Sequence, residues 1–293
     1  MKNETKSWLL LTLLSLIWGS SFILMEKAMY PTKQTQAFTA LQVGALRTLI
    51  ASLVLLPIAL KNLNYLKGKD VWFLIVVGAC GNFLPAFLFP IAETEIQSSL
   101  AGVINMGTSL FVVIIGYLFF KHKITLIQLI GFLLGAVSLF FIIFNQIDAD
   151  KNNFYYAGLA LLATLFYAIS LTVIKYKLHH LKPLTITALA FFTMLLPSIL
   201  CSFFSGSFSA LNNPNALQGL PYLLILSVIG TAMAVMLFNY MVSFSTPLFA
   251  SSVVYFIPIV ALIIGVLYGE YFNPINLIWI TLIFVGVYLM GKK

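Results

Sequence analysis

The sequence predicts an all-α polytopic membrane protein in which ten transmembrane helices form two inverted five-helix repeats. Three observations predict it. The 293 residues are 61% hydrophobic and 8% charged, with a mean hydropathy of +1.03, a composition of membrane proteins rather than of a soluble domain. The apolar residues fall in continuous runs of the length needed to cross a hydrocarbon layer, about 20 residues per helix for a layer about 30 Å thick. The chain also matches itself at an offset of 149 residues, placing Trp18 on Tyr167, Ser21 on Ser170, Gly81 on Gly230, Phe89 on Phe238, Ala101 on Ala250, Gly116 on Gly265 and Lys121 on Glu270. Glycines and aromatics carry that match, and one offset recurs in separate segments, so a duplicated half is expected. Five spans per half is an odd number, which turns the second half upside down. A β-barrel is excluded, because its strands would alternate over about ten residues.

The elements follow in order. The first span, Trp8 to Met29, sets Ser15, Trp18, Gly19 and Phe22 on one face; its length and the lack of a small-x-small cleavage site separate it from a signal peptide. The second, Phe38 to Leu60, carries Arg47, the sole arginine. The third, Val71 to Ile91, aligns Gly78, Gly81, Asn82, Pro85 and Phe89, and the fourth, Ser98 to Phe120, aligns Gly102, Asn105, Ser109 and Gly116 before Lys121. The fifth, Thr125 to Phe144, completes the first repeat, residues 1–147, and residues 148–153 link it to the second, 154–293.

The sixth span, Phe154 to Ile174, repeats the first with Thr164, Tyr167, Ala168 and Leu171. The seventh, Leu184 to Ser205, holds Cys201, as the third holds Cys80. Both are expected as free thiols packed as small apolar groups, outside any disulfide or metal site. Pro57 and Pro197 lie 140 residues apart, so the register slips there, and the Ser-, Asn- and Pro-rich stretch from Ser207 to Pro221 restores it as an external turn. The eighth, Leu220 to Val242, repeats the third with Ser227, Gly230, Thr231, Ala234 and Phe238. The ninth, Pro247 to Tyr268, aligns Ser251, Tyr255, Pro258, Leu262 and Gly265 ahead of Glu270, and the tenth is Ile275 to Met290.

A net charge of +8 raises the question of nucleic acid, and its distribution answers no. Twelve lysines (Lys2, Lys6, Lys61, Lys67, Lys69, Lys121, Lys123, Lys175, Lys177, Lys182, Lys292 and Lys293) lie on the side of the amino terminus, against Lys27, Lys33 and Lys151 opposite. That asymmetry places both termini in the cytoplasm of a cell with the protein in its cytoplasmic (inner) membrane. The acids Glu26, Glu93, Glu95, Asp148, Asp150 and Glu270 lean to the outer side.

Small and polar residues on one face of a membrane helix serve close packing or line a wet cavity between repeats, and recurrence in six helices favours the cavity. A bulky residue at Gly102 or Ser251 is then expected to fill the solute path in a folded protein. Arg47, nine residues into its span and roughly 13 Å from its outer end, is too costly to face lipid; it ties helix carbonyls together, snorkels outward, or anchors an anion such as a carboxylate. Asn82, Asn105 and Asn239 are amides needing partners, in helix-to-helix bonds or, for Asn105 above all, with a ligand. Trp18, Tyr167, Tyr240 and Tyr255, with Ser21 and Ser170, complete the candidate solute-binding set. Lys121 and Glu270 are solvated anchors or elements of a gate.

Without an Asp or Glu near mid-membrane, a facilitator or exchanger is favoured over a tightly proton-coupled pump. The chain shows no phosphate loop, metal cluster or nucleophile-base pair, and His122, His179 and His180 fall in loops beside lysines. No enzyme activity, metal or cofactor is therefore expected; the partners are a small-molecule solute and the bilayer, and the oligomeric state stays open.

The run Trp18-Gly19-Ser20-Ser21-Phe22, Arg47 in the second span, the connection ending in Ala101, and Pro258 with Gly265, Gly269 and Glu270 together resemble the drug/metabolite transporter superfamily, EamA type, over essentially the whole chain. The resemblance implies export of amino acids, related metabolites or toxic compounds through a cavity formed by the first, third, fourth, sixth, eighth and ninth helices. In that family the fourth span ends in an acid; Lys121 departs from the pattern and Glu270 keeps it. The resulting expectation is a secondary transporter, an exporter or exchanger of amino acids or similar amphipathic metabolites working by alternating access. A nucleotide-sugar carrier would need more cations inside than Arg47. A channel would differ by flux rate and lack of counterflow, and a membrane-embedded lipid-modifying enzyme would need a His, Asp or Ser constellation.

Overall fold

The computed structural model describes residues 3–32, 34–120, 125–146, 151–242 and 253–290. Lipid offers a backbone no hydrogen-bond partners, so an apolar chain of this kind satisfies its amides within helices. The described residues form α1 Asn3–Met29, α2 Ala40–Leu60, α3 Asp70–Ala92 and α4 Ser98–Phe119, and α5 Leu126–Gln146. The second half follows with α6 Lys151–Lys177, α7 Pro183–Phe204, α8 216–242, α9 Val253–Leu267 and α10 Asn276–Met290. By length and composition the 8 helices from α1 to α8 can cross a membrane. The expectation of ten is met only to that extent: α9 and α10 are apolar but 15 residues each, and α9 adjoins residues 243–252, which lie outside the described residues.

Local chemistry explains the ends and breaks. Thr39 opens α2 with a capping box: its hydroxyl accepts from the Gln42 N–H at 3.3 Å, and Gln42 Oε1 accepts from the Thr39 N–H at 3.0 Å, which occupies two otherwise orphan donors. Pro183 begins α7, where a missing N–H costs nothing. Pro57 and Pro197 lie inside α2 and α7, two helices that pack on each other. Ser52 helps hold that contact by donating to the Phe191 carbonyl at 3.1 Å.

Many packing pairs follow an exchange rule. α1 packs on α9 as α6 packs on α4, α1 on α8 as α6 on α3, and α2 on α8 as α7 on α3, while α2 with α7, α4 with α9 and α5 with α10 are their own counterparts. Swapping first-half helices for second-half helices maps these pairs onto one another, beside contacts within the first half such as α1 on α4. Both α3 and α8 also contain a π-helical stretch, Ala79–Phe83 and Ile225–Met233, and the 149-residue offset superposes the two. Such turns widen a helix and free a carbonyl from the regular ladder.

A buried apolar core runs through α1, α4, α8 and α9, including Leu14, Met25, Ile104 and Ile257. Large apolar side chains such as Trp72, Phe119, Leu126, Phe204 and Leu267 are exposed on the outside, where a bilayer would cover them.

Between α7 and α8, Ser207 is fully buried, with its hydroxyl 2.8 Å from that of Ser205, so the turn expected to lie outside is better probed at exposed Asn212. With Cys80 and Cys201 removed, Asn212→Cys is expected to react with an impermeant maleimide from outside intact cells. Reaction only after the cytoplasmic face is opened would reverse the orientation.

Candidate functional site

The centre of the bundle is built from close helix crossings. Gly81 of α3 faces the Ser170 hydroxyl of α6, and Gly230 of α8 faces that of Ser21 of α1, with 3.1 Å left for a Cβ. These are the same contact made twice, once per half. Both serines are buried, and the Ser21 hydroxyl donates to the Ile17 carbonyl at 2.9 Å. The structure thus gives Ser21 and Ser170 a packing role, since small residues let membrane helices approach. Gly102 is corrected in the same way: a Cβ there would lie 2.5 Å from the Ala261 Cβ, so a large residue would split α4 from α9 before reaching any solute path. Ser251 lies outside the described residues.

Around these crossings stand paired aromatic rings. Trp18 of α1 meets Phe238 of α8 with centroids 5.5 Å apart, and Tyr167 of α6 stacks on Phe89 of α3 at 6.0 Å. The offset exchanges one pair for the other. Phe22 adds an edge to Phe89 at 5.5 Å. Trp18 and Tyr167 are both half-buried.

Arg47 reaches this region from α2. Its Nε donates to the Thr231 hydroxyl at 3.0 Å and its Nη1 to the Met25 sulfur at 3.2 Å. Thr231 in turn donates to the Leu226 carbonyl, five residues back, at 2.9 Å, so the π-helical stretch of α8 orients the hydroxyl that holds the guanidinium. Tyr167 and Glu93 act on Arg47 electrostatically, yet among the described residues no carboxylate lies within ion-pair distance of it, the sole such pair being His180 with Asp70. Thr231 and Met25 were not legible as partners of Arg47, although Thr231 already stood in the small and polar stripe of its helix.

Asn105 marks a break in α4, between a first helical segment ending at Ile104 and a second starting at Gly107. Its side-chain carbonyl oxygen is enclosed without a partner, as is the Thr108 hydroxyl. Asn82 is half-buried in the π-helical stretch of α3, and Tyr255 is half-buried on α9. Tyr240 is drawn away from the centre: its hydroxyl accepts from Lys6 Nζ, which also lies 4.6 Å from its ring centroid, and its side chain is half exposed. The Asn239 side chain is outside the described set.

Glu270 has a definite task. Gly269 turns the chain after α9 with φ 85°, and the Glu270 carboxylate accepts the Ser98 and Ser99 N–H groups at 3.0 and 2.9 Å. A carboxylate at a helix start satisfies orphan donors and complements the helix dipole, so Glu270 fastens the end of α9 to the start of α4. Burial raises its pKa, opposed by the bonds to Ser99. Lys121 lies outside the described residues. Glu270→Gln removes a charge-assisted contact, about 1.5 to 3 kcal/mol, and is expected to loosen this tie by roughly tenfold or more. The labelling rate of a cysteine at buried Ile96, in a background without Cys80 and Cys201, reads the change; an unaltered rate would show that the clamp is idle.

Two residues beside the clamp went unnoticed as site elements. Glu26 accepts the Ser98 hydroxyl at 2.7 Å, and Glu93 is buried after the end of α3 with both carboxyl oxygens lacking partners. Among the described residues no group of three His, Cys, Asp or Glu is arranged to hold a metal ion.

Known proteins resemble the chain along its length. The model of the EamA-like transporter family matches residues 5–144 and again residues 155–292. An uncharacterized transporter of Archaeoglobus fulgidus is 24% identical over 290 residues, covering 98% of this chain and 99% of that protein. A chloroplastic WAT1-related protein of Arabidopsis thaliana is 24% identical over 298 residues, covering 97% of this chain and 69% of its own. A solved crystal structure shares the fold with a TM-score of 0.59 over 98% of this chain and 96% of that one, at 14% identity.

Proposed function

Because the chain belongs to the EamA-like transporter family, we propose that this multi-pass membrane transporter moves amino acids or similar small amphipathic metabolites across the cytoplasmic membrane. It works by alternating access, as an exporter or exchanger, with its two halves inverted about a shared centre and both termini in the cytoplasm. One observation carries the reading: Arg47, the sole arginine, has a hydroxyl and a thioether as its hydrogen-bond partners and faces Tyr167. A guanidinium without a bound carboxylate is a fork that matches a solute carboxylate. Trp18 and Tyr167 supply ring faces for an apolar side chain, and Asn105 supplies an acceptor for an ammonium or amide. The exchange rule in helix packing supports two arrangements of equal kind, one open to each side.

Ligand-dependent unfolding tests the reading without knowledge of the driving force. A solute bound by the folded state alone stabilises it by about 2.7 kcal/mol at a concentration of 100 times Kd. Purified protein is expected to melt higher with at least one apolar amino acid from a panel, and to shift less with the matching amide. No shift with any carboxylated solute in the panel would remove the carboxylate from the proposal.

A further inference from the structure

Three carboxylates gather where α1, the segment after α3 and the turn after α9 meet the start of α4. Two of them are satisfied: Glu26 by the Ser98 hydroxyl and Glu270 by the Ser98 and Ser99 N–H groups. Glu93 is not. It is 5% exposed, and neither of its oxygens has a hydrogen-bond partner. The charges that face it are Glu26 from α1, Glu270 from the turn after α9 and Arg47 from α2; Arg47 directs its hydrogen bonds elsewhere, to Thr231 and Met25, and itself faces Tyr167 of α6.

An ionised carboxylate in this setting would lack water and hydrogen bonds while two like charges stood near it, the circumstance in which a buried acid keeps its proton. Burial pushes the Glu93 carboxyl well above the usual range, Glu26 and Glu270 push it further, and Arg47 opposes them.

We propose that Glu93 is a proton-binding site linked to Arg47, so that a proton on Glu93 and a solute carboxylate on Arg47 favour each other's binding. With its proton, Glu93 leaves the guanidinium as an uncompensated cation ready for a solute carboxylate. Without it, Glu93 supplies a counter-charge and weakens that attraction. Linkage is reciprocal: a carboxylate on Arg47 raises the affinity of Glu93 for its proton by the same factor. The proton comes from and returns to water on whichever side the site faces, and no other bond changes. This inference rests on the role given to Arg47 above. It replaces the sequence-based preference for transport without tight proton coupling, because the acid lies at the end of a span instead of its middle.

The test has one part that needs no solute. Infrared spectra of the full-length protein in lipid vesicles are expected to show the carbonyl band of a protonated carboxylic acid at neutral pH, lost as pH rises. Glu93→Gln should remove the band, Glu93→Asp should move it, and Glu26→Gln should retain it. A band absent from the wild type, or intact in Glu93→Gln, overturns the proton site whatever is transported. In the second part, the probe is the amino acid giving the largest melting shift in the panel. Its affinity for the wild type should fall at least tenfold across the pH range in which the band disappears, and should stay at the low-pH value in Glu93→Gln. Identical pH profiles for the two proteins would overturn the linkage while leaving the transport reading untouched.

Discussion

Arg47→Lys is expected to weaken binding of a carboxylated solute by roughly tenfold to over a hundredfold, while sparing the amide of the same solute. Arg presents a planar fork that grips both carboxylate oxygens, and Lys presents a point charge. Lys also lacks the Nε that donates to Thr231 at 3.0 Å, so the remaining cation is no longer oriented by α8. One charge-assisted contact is worth about 1.5 to 3 kcal/mol, which converts to the stated range of affinity. Calorimetric titration of the acid and the amide separates the two roles of Arg47. Equal losses for both, or a protein that no longer folds, would make Arg47 a tie between α1, α2 and α8 and nothing more.

The second large effect concerns α5 and α10. A Cβ added to Gly286 would lie 2.5 Å from the Gly131 carbonyl oxygen and 2.9 Å from the Gly135 nitrogen, and one added to Gly131 would lie 2.5 Å from the Gly286 carbonyl. These obstacles are backbone, which cannot rotate aside as a side chain end can. Gly286→Ala must therefore part the helices along their contact and is expected to destabilise by about 1 to 3 kcal/mol, the usual cost of overpacking. Gly158 on α6 is the control, since nothing lies within 4 Å of its would-be Cβ. Gly158→Ala should be neutral or stabilising by up to about 1 kcal/mol, from helix propensity alone. Melting temperatures of the two variants that moved together would contradict the close approach.

Residue type and period made much of the fold legible. Hydropathy marked the spans because lipid demands long apolar runs, and the offset of 149 residues matched Gly81 with Gly230, Ser21 with Ser170 and Trp18 with Tyr167, residues that the structure sets in equivalent contacts. What period cannot reveal is which neighbour a face meets. Gly102 and Gly81 lie on similar stripes, yet Gly102 packs on Ala261. Tyr240 was placed in the site by its helix face, and a lysine 234 residues away claimed it. Glu270 was expected to matter as a charge at a helix end, but its partners are backbone N–H groups of α4, which have no sequence signature. Glu93 was hidden for the opposite reason: an acid just beyond a span reads as solvated, and burial by the ends of α1 and α9 is a long-range property.

Solute counterflow tests the transport mechanism most directly. Vesicles containing the purified protein are loaded with an excess of one unlabelled amino acid from the panel and diluted into a trace of the same labelled compound. An alternating-access carrier is expected to accumulate label transiently, saturably and faster than in vesicles without internal solute, and Arg47→Lys should lose this for the acid. Label that merely equilibrates, at a rate proportional to concentration and indifferent to internal solute, would show a channel and contradict the mechanism proposed for this chain.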